Sequence, residues 1–126
     1  MRLKKVDSEY AIARINDWGY PHELGSCEIE TCVFFSVKGS KGYVWFERLF
    51  RDEDLVIHLA FNPEKKGKVF SMLLWAEIIA IASKFGALRL CAVSVTKEIA
   101  DYCLRLGFEP DPNIMNWYYF DLEDAQ

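Results

Sequence analysis

The sequence predicts an α/β domain in which an antiparallel β-meander runs into a β-α-β unit, all in one mixed sheet flanked by helices. Three features predict it. Residues 31–37, 43–50 and 55–61 are runs of β-branched and aromatic residues separated by short polar turns. An apolar stretch of helical length follows at 69–85, closed by Gly86 as a C-terminal cap. Residues 88–95 are then almost continuously apolar, the pattern of a strand in the middle of a sheet.

The elements follow in order. Residues 1–6 are a short first strand, and Ser8 can cap a helix running to about Trp18 with Ile12 and Ile15 on one face. Residues 19–25, with Pro21, read as a loop. Lys38-Gly39-Ser40-Lys41-Gly42 is a hairpin-turn composition, so the runs on either side pair antiparallel. Residues 51–54 are a charged turn into the third meander strand, which Asn62-Pro63 ends because a residue before proline is driven out of helical geometry. The 69–85 helix is apolar all round except at Glu77 and Ser83-Lys84, which predicts cover on most sides. Thr96 caps a last helix to about Leu106, and Gly107 ends it. Pro110 and Pro112 then prevent a helix before the aromatic strand 114–122. The unit 55–95 is β-α-β, so its two strands are expected as parallel neighbours.

With 126 residues, 52% hydrophobic and 15% aromatic content, the chain fits one domain over 1–126 with ample apolar surface for a core. A net charge of -4 argues against the broad basic footprint of direct nucleic-acid or anionic-lipid binding. Cys27, Cys32, Cys91 and Cys103 show no CxxC spacing, and only His22 and His58 could complete a metal site. They read as free thiols in a reducing compartment. Residues 1–6 run into Asp7 and Ser8 without an apolar stretch, so no signal peptide is read, and a cytoplasmic location is expected. The longest apolar run, 69–82, is shorter than the about 20 residues needed to cross a bilayer.

The connection into the long helix is Pro63-Glu64-Lys65-Lys66-Gly67-Lys68-Val69-Phe70-Ser71. A helix N-terminus presents unpaired N–H groups and a partial positive charge, so lysines and a glycine around it suit a pyrophosphate; lysine-rich turns are also commonly just solvated. The segment resembles the acetyl-CoA-binding motif of the GNAT superfamily, a proline-ended strand followed by a glycine-rich turn and a long helix. Lys66 stands at the family's arginine or glutamine, Gly67 at a common glycine, Val69 at the first signature glycine and Ser71 at the second glycine or alanine. Residues 96–108 resemble the family's penultimate helix, and Leu106-Gly107-Phe108 reproduces its ending. The usual catalytic tyrosine falls on Cys103, with Tyr102 one residue off register, and the usual asparagine falls on Thr96. Compact acetyltransferase-like proteins of bacteriophages also tolerate a bulky residue at the first glycine and lack that tyrosine. Their Ile-His pair ahead of the proline is matched by Ile57-His58 and Pro63.

The resemblance, over residues 30–122, implies a GNAT-like splayed sheet whose strands 55–61 and 88–95 part to take the pantetheine of acetyl-CoA as acyl donor. It implies backbone pairing at Leu59, Ala60 and Phe61 and a pyrophosphate cradle at Lys66, Gly67, Lys68, Val69, Phe70 and Ser71. The implied reaction is direct transfer of acetyl to a primary amine, on a small molecule or a protein. An ammonium must lose a proton before attack, and histidine, with an ordinary pKa of about 6.5, is suited to take it. His58 is the first candidate base and Glu47 the second; both also read as ordinary strand residues. Cys103 or Tyr102 would protonate the leaving thiolate, although a cysteine on an amphipathic helix also reads as packed core. Trp18, Tyr20 and His22 lie where the family often shapes its acceptor site. Competing with an enzyme are a GNAT-fold protein that has lost catalysis, as a phage virion component or host-protein inhibitor, and an α/β protein unrelated to acetyl-CoA. The meander's edge strands permit a homodimer.

Overall fold

The computed structural model describes residues 2–19, 32–39, 41–48, 53–65, 71–93 and 97–123. Its strands are β1 (Leu3–Val6), β2 (Cys32–Val37), β3 (Gly42–Arg48), β4 (Asp54–Phe61), β5 (Arg89–Val93), β6 (Glu109–Pro110) and β7 (Trp117–Asp121). Its helices are α1 (Ser8–Asp17), α2 (Met72–Lys84) and α3 (Lys97–Leu106). The strands form one sheet in the order β1-β2-β3-β4-β5-β7-β6. All neighbours are antiparallel except β4 and β5, which run parallel on either side of α2, as the β-α-β pattern requires.

Period-two alternation divides the meander between two cores. Val37, Val44, Phe46, Leu55, Ile57, Leu90 and Ala92 pack with Leu74, Trp75 and Ile78 of α2 and Cys103 of α3. The opposite face carries Cys32, Phe34, Tyr43, Trp45 and Ala60 against Ala11, Ile12 and Ile15 of α1. Each fully buried large side chain contributes about 1.5–3 kcal/mol, so both layers hold the sheet. Cys91 and Cys103 are free and buried, as read from the sequence, and Cys32 is buried; Cys27 lies outside the described residues.

Several boundaries differ from expectation. Asp7, not Ser8, caps α1, because its carboxylate accepts the Tyr10 N–H at 3.2 Å. Helix α2 starts at Met72 rather than near Val69, because Ser71 is extended and its hydroxyl accepts the Leu74 N–H at 3.1 Å. Only one face of α2 is covered: Leu74, Trp75, Ile78 and Ala82 are buried, whereas Met72 and Leu73 are 70% and 62% exposed. Gly86 ends the helix as predicted, at φ 78°, its N–H donating to the Ser83 carbonyl. Asp54 belongs to β4 and is buried, not part of a charged turn. The last strand starts at Trp117, after Asn116 at φ 67°, and the preceding connection supplies the two-residue β6 paired with Tyr118 and Tyr119. Thr96 and residues 66–70 lie outside the described residues. Among the described residues no helix is long and apolar enough to cross a membrane.

Candidate active site

Strands β4 and β5 are in register only at Asp54–Arg89, Leu55–Leu90 and Val56–Cys91. Beyond that, β4 continues to Phe61 and β5 to Val93 without registered pairs, so the sheet opens there into a slot. The backbone phase of β4 fixes what faces the slot. The Asn62 N–H donates to the Lys41 carbonyl, so even-numbered residues of β4 bond to β3 and odd-numbered ones turn toward β5. The Glu53 carbonyl, accepting from the N–H groups of Leu88 and Arg89, follows the same phase. Leu59 therefore directs its N–H and C=O into the slot, whereas Ala60, another residue expected to pair with pantetheine, turns its backbone to β3. A backbone amide shielded from water needs a partner, and an extended amide chain laid along β4 would supply one.

The chain leaves the open end of β4 through the turn Pro63–Lys65, and the described residues resume at Ser71, the N-cap of α2. Ser71 anchors it, its oxygen engaged by Leu74 and its hydroxyl proton still able to donate. The other residues expected to cradle pyrophosphate, Lys66, Gly67, Lys68, Val69 and Phe70, lie outside the described residues.

On the α1 face of β3 and β4, the structure brings Glu47 and His58 together. Glu47 Oε1 and His58 Nε2 are 3.1 Å apart, each side chain 33% exposed. The pair arises from register: Trp45 lies opposite His58, so Glu47 reaches it on the diagonal. The imidazole stacks on Trp45 at 5.2 Å and 13°, and Trp45 stacks in turn on Phe34 at 5.3 Å. This three-ring ladder fixes the plane of the His58 ring.

Cys103 and Tyr102 do not join that pair. Cys103 is buried in the core on the other face of the sheet, where burial pushes its thiol above the ordinary range. Tyr102 is exposed on α3, with the Arg105 guanidinium 5.2 Å from its ring centre. Trp18 caps α1 and packs on Tyr43 at 5.4 Å; Tyr20 and His22 lie outside the described residues.

No protein-family model matches the sequence, and no curated protein matches it. Solved structures do. A spermidine N-acetyltransferase from Vibrio cholerae superposes with a TM-score of 0.70 at 15% identity, covering 98% of this chain and 94% of that one. The GNAT domain of the S. lividans protein PAT gives 0.69 at 12% identity, over 94% and 89%. N-acetylglutamate synthase from Neisseria gonorrhoeae, complexed with coenzyme A and L-arginine, gives 0.70 at 18% identity. There the match covers 94% of this chain but 32% of the other, so the chain spans about a third of that protein's length.

The chain has the GNAT fold.

Within that GNAT fold, sequence reasoning missed one polar group. Asp54, 5% exposed, accepts two hydrogen bonds from Arg89, at 2.9 Å from Nε and 2.8 Å from Nη2. The bond to Asp54 raises the guanidinium pKa further. Arg89 lies 4.5 Å from the ring centre of Tyr119, whose hydroxyl donates to Asp111. Burial beside Asp54 pushes the Cys91 thiol up to about 12. The acid immediately ahead of LVIHLAF was the available signal, but its partner is 35 residues away and only the parallel register unites them.

Proposed function

We propose that this chain is an acetyl-CoA-dependent N-acetyltransferase that transfers acetyl directly to a primary amine. The observation that carries this reading is the parting of β4 and β5 just ahead of the α2 N-terminus, with Leu59 turning its amide and carbonyl into the gap. The residues suit the donor: an extended pantetheine can continue the ladder at Leu59, and the helix end with Ser71 favours phosphate charge. Acetyl-CoA, when bound, supplies a reactive acetyl thioester.

The chain's own groups then do the rest. The slot holds thioester and amine side by side, which can supply about 7 kcal/mol or more of the barrier. His58 takes the proton of the incoming ammonium, directly or through one water, freeing the nitrogen lone pair for the carbonyl carbon. Glu47 orients the imidazole through Nε2 and favours its cationic form after proton transfer. The Trp45 stack keeps the ring from rotating away. As the carbon–sulfur bond breaks, the thiolate leaves with the electron pair and takes a proton from Tyr102 or water.

Thermal melting with acetyl-CoA, followed by turnover against a panel of primary amines, tests this. His58→Gln is expected to lower turnover by about 10²- to 10⁴-fold with little change in acetyl-CoA affinity. Full turnover of that variant across pH would remove His58 from the role. The burial of Cys103 favours one second reading, a cofactor-binding protein without catalysis. A melting shift with no turnover of any amine would select it.

A further inference from the structure

The hairpin between β2 and β3 closes at the same end of the sheet as the opening of the slot, because Gly42 pairs with Phe61 and the Lys41 carbonyl accepts the Asn62 N–H at 2.8 Å. Between this hairpin and the start of β1 lies a concavity of about 240 Å³ lined by Arg2, Val37, Lys38, Gly39 and Lys41. Its walls are tied down. The Lys38 N–H donates to the Arg2 carbonyl at 2.8 Å, and the Arg2 N–H donates to both carboxylate oxygens of Glu77 on α2, at 2.8 and 3.1 Å. Gly39 turns the chain at φ 82°, and the stem of Lys41 folds back over it: a Cβ added to Gly39 would lie 3.6 Å from Lys41 Cε and 3.8 Å from its Cγ. Lys41 is therefore half-buried against the turn instead of extended into water.

The charge here opposes that of the whole molecule. The chain carries a net charge of -4, yet three of the five lining residues are cationic. The Glu77 carboxylate is engaged by the Arg2 backbone, and among the described residues no carboxylate forms a salt bridge with Arg2, Lys38 or Lys41. Like charges gathered around one concavity repel each other, and a cleft lined by one sign of charge concentrates the opposite ion. A tetrahedral oxyanion answers all three: the guanidinium presents a fixed fork to two oxygens, and the ammonium groups swing to meet the others. At about 240 Å³ the cavity is smaller than the about 300–1,000 Å³ of sites for organic ligands, and Val37 is its one apolar side chain, so it suits a single charged group. We infer that Arg2, Lys38 and Lys41 form a phosphate-binding site at the β2–β3 hairpin, outside the slot, taking a phosphate dianion that is free in solution or carried as a monoester.

The test titrates inorganic phosphate into wild type, into Lys38→Gln/Lys41→Gln, and into Lys4→Gln/Lys5→Gln, which removes two charges from the exposed residues of β1. At about ten times its Kd, phosphate should raise the Tm of wild type by about 5 °C and move the Gly39 amide resonance. The Lys4/Lys5 variant should keep that response and the Lys38/Lys41 variant should lose it, leaving only the rise that phosphate causes by exclusion from any protein surface. A second arm compares acetyl-CoA with 3′-dephospho-acetyl-CoA. If the bound group is the cofactor's own ribose phosphate, wild type binds the dephosphorylated form about tenfold more weakly and the Lys38/Lys41 variant binds both alike; equal affinities in wild type assign the site to free phosphate. Equal Tm rises in all three proteins, with a still Gly39 resonance and cofactor affinity indifferent to Lys38 and Lys41, overturn the site. Should acetyl-CoA not bind at all, the acetyltransferase reading fails, and the phosphate titration judges this site separately.

Discussion

Gly42→Ala should destabilise the protein even though alanine is the better strand residue. Gly42 opens β3 opposite Phe61, at the same end of the sheet as the slot mouth. A Cβ there would lie 2.5 Å from the Ala60 carbonyl oxygen and 3.2 Å from Phe61 Cα, both backbone atoms that cannot swing aside. Reaching the 3.4 Å of ordinary contact moves the strand ends apart by roughly 0.9 Å, the difference of the two distances. The 2.8 Å bond from Asn62 N–H to the Lys41 carbonyl would then stretch toward about 3.7 Å, beyond hydrogen-bond range. Overpacking costs about 1–3 kcal/mol and the lost bond about 0.5–1.5 kcal/mol, and replacing glycine by alanine returns about 0.4–1 kcal/mol through the unfolded chain, so the net loss is about 2 kcal/mol. For 126 residues the unfolding entropy is about 0.26 kcal/mol/K, which converts 2 kcal/mol into a fall in Tm of about 8 °C. Scanning calorimetry reads this directly, and acetyl-CoA should also bind the variant more weakly because Phe61 is displaced. An unchanged or higher Tm would mean that β3 and β4 do not approach as described.

Other consequences follow from single contacts. Ser71→Ala removes the cap of α2 and should cost about 0.5–2 kcal/mol in denaturant unfolding, with Ser71→Asp restoring most of it. Cys91, with a pKa of about 12, and buried Cys103 should resist iodoacetamide at pH 8 in the native protein and react once it is unfolded; rapid native labelling would contradict their burial. Hydrogen bonds from Asn113 and from Tyr119 hold the Asp111 carboxyl below the ordinary aspartate range. Its contribution is therefore fully present above that range and lost as pH falls through the lowered value. The amide resonances of Asn113 and Ile114 should thus titrate at lower pH than those beside an unstructured aspartate.

The fold was legible because its signals are periodic. β-Branched and aromatic residues in three short runs between polar turns, a helix closed by Gly86 and a continuous apolar run at 88–95 each state one element and its neighbours. The pairing of Glu47 with His58 was within reach because one antiparallel register relates adjacent strands. Other features depend on contacts that sequence order does not carry. Ser71 caps α2 because its hydroxyl can satisfy a helix N–H, a local preference that the continuous apolar pattern from Val69 onward conceals in the sequence. Asp54 read as part of a charged turn because its neutralising partner, Arg89, is brought to it only when the parallel strands assemble. The exposed face of α2 was hidden for a related reason: Met72 and Leu73 are as apolar as Leu74 and Trp75, so composition cannot say which side meets the sheet.

Hydrogen exchange at the Leu59 amide, with and without saturating acetyl-CoA, addresses the central claim most directly. If the slot between β4 and β5 takes the donor as an added strand, exchange at Leu59 slows markedly while amides of the β1–β2 pair are unaffected. Binding of acetyl-CoA with Leu59 exchanging at its free rate would place the ligand elsewhere and contradict the account.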